Sequence, residues 1–276
     1  MILKLFVSLF FFCFSLQALE LDTESVEAQE LFTLFSVDPD LPTSELLPIL
    51  QRDWLQLHKE RWQMDARFEE KRKEALPLLQ RLQFIETVQA KKEHYDYALV
   101  LGSLGKTMKR RLDFLYEEWQ RGVRFDQVFL LTGQRDLDPA REEVPPGCAS
   151  ETDLFVYLFE RHPLKELAPM HVVDSPKQLL PSGKIRRPNT ASTVEDFLKE
   201  EPKPGSCLGI STQPFVGYQE AVVKYLLPSS FEVEGVGPGT LTTGGDIKGV
   251  DVPFPIAIYL DTFAKWFYYQ SLNRHD

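Results

Sequence analysis

The sequence predicts an α/β fold, a doubly wound and mostly parallel sheet, preceded by a helical accessory region. After Tyr95, short apolar runs and longer helical segments alternate through five strands. The runs are mostly continuous rather than alternating, as expected for strands covered by helices on both faces. Loops rich in Gly, Pro or charge (Gln134–Ser150, Ser175–Pro188, Gly237–Pro253) interrupt this rhythm, the first two at strand ends, where such sheets bind ligands.

The chain opens on "MILKLFVSLFFFCFSLQA": one charge at Lys4, an apolar run from Leu5 to Leu16, and the small residue Ala18. This is the grammar of a cleaved signal peptide, and the run is shorter than the ~20 residues that span a bilayer. The expectation is export, periplasmic or extracellular, with membrane contact only through an uncleaved signal. Cleavage removes Lys4 and Cys13 and no acid, leaving 41 acidic against 30 basic residues, a net charge of −11. Such a chain lacks the clustered Lys and Arg of a nucleic-acid binder. Cys148 and Cys207 remain, and spacing leaves open whether they pair.

Residues 19–94 read as helical. Leu47, Leu50, Trp54, Leu57 and Trp62 recur at mostly three- and four-residue steps between charges, an amphipathic stripe. Thr43-Ser44 marks a helix start, and Pro77 a boundary or first turn. Residues 95–255 form the α/β domain. Strands are expected at 97–101, 127–131, 170–174, 207–212 and 231–236, with helices at 106–122, from Glu151, at 190–201 and around 218–227. A last amphipathic helix, within 256–276, packs on the domain.

The stretch "ALVLGSLGKTMKRR" poses a nucleotide-binding question, since Gly105-Lys106-Thr107 resembles the end of a phosphate loop. That loop needs G-x-x-x-x-G-K-[ST], and the first glycine is replaced by Val100. A dinucleotide fingerprint fails for want of G-x-G. What remains is a strand-to-helix turn, Gly102-Ser103 and Gly105, either an anion site at a helix N-terminus or a plain tight turn. No cofactor is assigned. The five histidines form no metal-ligand spacing, and no G-x-S-x-G elbow is present. Glu151 and Asp153 are either paired acid/base carboxylates or first-turn acids answering the helix dipole.

Read together, "YALVLGSLGKTMKRRLDFLYEEWQRG", "LLTGQ", Glu151, Asp174, Asn189-Thr190 and "ISTQPFVGYQEA" resemble, in order, the motif series of the YdcF/SanA/ElyC-like family of Rossmann-like envelope proteins. The resemblance covers residues 95–236. It implies a role in cell-envelope maintenance and an anionic or phosphate-bearing ligand at the carboxyl ends of the strands. The ligand-binding candidates are Gly102, Ser103, Arg111, Thr132, Gly133, Glu151, Asp174, Asn189, Thr190 and Thr212. Two alternatives stand beside it: a hydrolase or transferase acting on a phosphorylated glycan or lipid carrier, and a non-catalytic protein that binds partners through its N-terminal helices. The sequence departs from the family at Val216 and Gln219, where the family carries His and Arg, so no catalytic residue is assigned.

Overall fold

The computed structural model describes residues 19–56, 59, 63–181, 183–240 and 254–273. The signal segment, Leu57, His58, Trp62, His275 and most of the last long loop lie outside them.

Five strands form one parallel sheet: β1 (His94–Leu101), β2 (Arg124–Gly133), β3 (Met170–Ser175), β6 (Ser206–Ile210) and β7 (Glu232–Val236), in the order β3-β2-β1-β6-β7. The order reverses between β1 and β6, which pair from Tyr97–Cys207 to Val100–Ile210. Helices α4 (Gly105–Arg121), α5 (Glu151–Phe159), α6 (Thr190–Lys199) and α7 (Val216–Leu226) make the crossovers. Ala98, Val100, Val128 and Leu130 pack toward α4 and α5, while Leu99, Leu101, Phe129 and Leu131 pack toward Val194 and Phe197 of α6 and Val223 of α7. Both faces of β1 and β2 are therefore buried, which is why their apolar runs are continuous. The chain is a doubly wound α/β protein of Rossmann-like class.

A third core lies outside this sandwich. Helices α1 (Val26–Leu34), α2 (Thr43–Asp53) and α3 (Arg72–Arg81) converge with α8 (Ile256–Asn273), which also packs on α7. Leu31, Phe32, Leu50 and Trp54 meet Phe263 and Trp266 there, and the rings of Trp54 and Phe263 cross edge-on at 5.4 Å. The apolar stripe of the N-terminal helices is thus covered by the chain's own last helix, most of which is buried. Gly217 permits the docking of α8 on α7, because a Cβ there would stand 2.4 Å from the Trp266 ring.

Two local expectations need correction. Pro77 lies inside α3 and not at its boundary, as Pro48 lies inside α2. Both prolines are on the exposed side, where a carbonyl left without its N–H partner is hydrated. The segment Ser175–Pro188 carries a small antiparallel hairpin, β4 (Gln178–Leu179) and β5 (Ile185–Arg186). Its strands are two residues long, too short to show a periodic pattern.

Candidate functional site

The carboxyl ends of β3, β2, β1 and β6 carry a continuous row of polar side chains. It is centred on the turn after β1. Leu101 and Gly102 end the strand, and α4 begins at Gly105 with no side-chain cap of its own. Arg111, two turns into α4, is fully buried and points back to the strand end. Its guanidinium donates to the carbonyls of Leu101 (2.5 Å) and Gly102 (2.9 Å), and at 3.4 Å to Thr212 Oγ1 and Gln219 Oε1. One cation thus ties β1 to the segment after β6, across the point where strand order reverses.

Gln219 extends the row. Its amide nitrogen donates to Thr190 Oγ1 at 3.1 Å, and its oxygen also accepts from Ser211 Oγ. It is a neutral partner for Arg111, where the resemblance would put a second guanidinium beside the first. Val216, where the resemblance would put a His, is buried and offers no proton.

On the other side of Gly102, Glu151 starts α5 and its carboxylate comes close to the turn. A Cβ on Gly102 would stand 2.1 Å from Glu151 Oε1, so a side chain there would displace the carboxylate from this position. Glu151 accepts from Thr132 Oγ1 at 3.2 Å and pairs with Arg135 Nε at 2.8 Å. Burial pushes the Glu151 carboxyl above the usual range, and the Arg135 ion pair opposes this without cancelling it. Asp153 plays a separate part. The backbone N–H groups of Ala149 and Ser150 donate to it, lowering its pKa, and with Ser150 it forms a capping box. The two acids of this helical turn are therefore not a catalytic pair.

Asp174, at the end of β3, accepts from Thr152 Oγ1 at 2.6 Å and Gln134 Nε2 at 3.2 Å. Thr152 also lies 3.5 Å from Thr132, so Asp174 joins Glu151 through two hydroxyls. Asn189 caps α6: its side-chain oxygen accepts the Ser192 N–H at 3.0 Å. Ser103 lies in the turn itself, and its carbonyl accepts from Arg135 at 3.1 Å. Gly133 ends β2 beneath Pro188.

Two residues absent from the sequence-based list organise this edge. Arg135 bridges Glu151 and Glu142, the latter at 2.6 Å. Glu142 is buried although it comes from a charged loop, and it accepts the N–H of Gly105 at 3.0 Å and of Asp138 at 3.1 Å. Burial would raise its pKa, but the bonds from Arg135 and these N–H groups hold it below the usual carboxylate range. The α4 N-terminus, which the sequence marks as a place for an anion, is thus answered by the protein's own carboxylate. Arg135 stands two residues after Gly133, a strand-end position that hints at its role. Nothing in the sequence around Glu142 signals its reach.

Cys148 and Cys207 are both free thiols. Among the described residues no group of three or more His, Cys, Asp or Glu is arranged to hold a metal ion, and no helix is long and apolar enough to cross a membrane. Comparison with protein-family models, curated proteins and solved structures gives no match for the chain.

Proposed function

We propose that the chain is an exported envelope protein that binds a small anionic, phosphate-bearing ligand at the carboxyl edge of its sheet. The observation that carries this reading is Arg111, a buried guanidinium seated behind the ends of β1 and β6. Open α/β sheets bind ligands at the crevice where strand order reverses. A cation held in low dielectric raises the potential at that mouth. Thr212 and, through Gln219, Thr190 supply hydroxyls beside it, and Ser103 stands in the turn after β1. The anion in this reading sits toward β6, since Glu142 holds the α4 N-terminus. Titration calorimetry with inorganic phosphate and diphosphate at low salt tests it. Saturable binding is expected, weakened several-fold by Ser103→Ala and Thr212→Val, in line with about 1 kcal/mol per hydrogen bond. No binding by the native chain, or equal binding by both variants, rejects it.

A second reading, hydrolysis or transfer on a phosphorylated lipid or glycan, is favoured by one feature. Glu151 is a buried carboxyl with a raised pKa at the strand ends, fit to donate a proton to a leaving group. Release of phosphate from a prenyl diphosphate, abolished by Glu151→Gln with diphosphate binding retained, would support it. Equal turnover by the variant would remove it.

A further inference from the structure

We infer that the β4–β5 hairpin is a docking surface for an anionic lipid bilayer. In the register of the hairpin Leu179 stands directly opposite Ile185, so both side chains project from one face. They are 75% and 68% exposed, the two most exposed large aliphatic side chains among the described residues. The segment that carries them is basic. Between Asp174 and Glu195 the chain carries Lys177, Lys184, Arg186 and Arg187 and no acid, in a protein of net charge −10. Arg186 donates across the hairpin to Gln178, and Lys177 pairs with Asp136 at 2.7 Å in an exposed ion pair of the weak surface kind.

An exposed aliphatic pair flanked by Lys184 and Arg186 complements a surface that is apolar beneath and negative above, the interface of an anionic bilayer. An acidic or purely apolar protein groove would match only one of these features. The hairpin directly follows β3 and leads into α6, and Pro188 lies over Gly133 at its root. A bilayer held by this hairpin would face the carboxyl edge of the sheet. The inference does not depend on what that edge binds, because the hairpin variants that test it leave Ser103, Arg111, Glu151 and Thr212 untouched.

The test is co-sedimentation of the full chain with vesicles of phosphatidylcholine alone or with phosphatidylglycerol. Binding is expected only to the anionic vesicles, falling as salt is raised. Lys184→Gln with Arg186→Gln should lower the partition coefficient on the order of twentyfold, at about fivefold per cation. Leu179→Ser with Ile185→Ser should lower it by at least tenfold, with the circular dichroism of both double variants unchanged. Absence of binding, equal binding to neutral vesicles, or native-like binding by both double variants overturns the inference. So does a concentration-dependent dimer that Leu179→Ser with Ile185→Ser dissolves, since the face would then be a contact between copies.

Discussion

The carboxylate of Glu142 accepts the backbone N–H of Gly105 at 3.0 Å, although 37 residues separate them in the chain. A loop residue thereby caps the first crossover helix and holds one side of Arg135. Glu142→Ala leaves that guanidinium with half its buried ion pairing and α4 without a cap. The expected loss is about 3 kcal/mol of unfolding free energy, the usual cost of breaking a buried pair from one side. A urea titration measures it, and a loss below about 1 kcal/mol would show that the loop contributes little to the fold.

Glu220, on α7, is buried, and burial pushes its carboxyl up to about 7. Lys224 pairs with it and works against the shift, whereas Glu234 on the adjacent strand adds to it. Because the folded value lies above the unfolded one, the protonated form favours folding. The contribution is complete below the unfolded value and is lost as pH rises toward 7. Glu220→Gln keeps the shape without the charge. It should be more stable than the native chain at pH 8, by up to about 3 kcal/mol, and the gap should close below about pH 4. Parallel stability–pH curves for the two proteins would contradict this.

Gly217 carries the contact between α7 and α8. Alanine ordinarily favours a helix over glycine by about 1 kcal/mol. Here the added methyl meets the buried Trp266 ring, which has no room to retreat. Gly217→Ala should therefore destabilise by about 2 kcal/mol, the overpacking cost exceeding the helix gain. Thermal unfolding reads the sign directly: a raised midpoint would mean that α8 shifts at little cost.

The two thiols should differ in reactivity. Cys207 is enclosed on β6, and burial pushes its pKa up to about 12, whereas Cys148 sits half-exposed in a loop. In a chain lacking residues 1–18, a thiol reagent should modify Cys148 in the native protein and Cys207 only after denaturation. Protection of both until a reductant is added would mean that they are joined.

The strands and crossovers were legible because burial on both faces imposes apolar runs at strand length, and the five expected strands are the five of the sheet. Their edges shifted, β2 reaching Gly133 and β1 starting at His94. The N-terminal region was readable as amphipathic helix. Its partner was not, because α8 lies nearly two hundred residues further on and pairs with it only by packing. At the edge, Arg111, Thr132, Glu151, Asp174, Thr190 and Thr212 are the residues that the resemblance implies. Hydrogen bonds gather them into two groups, Arg111 with Thr212 and, through Gln219, Thr190, and Glu151 with Thr132 and, through Thr152, Asp174. Asn189 stands at the same edge with its oxygen engaged as a helix cap.

By itself, then, the sequence determined the order of strands and helices, the buried faces and the turns at the strand ends. Those follow from local period and turn chemistry. Only the tertiary structure decided that Arg135 joins Glu142 to Glu151, that Glu142 fills the α4 N-terminus, and that α8 closes the N-terminal core. Each of these is a contact between segments far apart in the chain. Such contacts depend on how loops return and layers stack, which no local pattern of residues encodes.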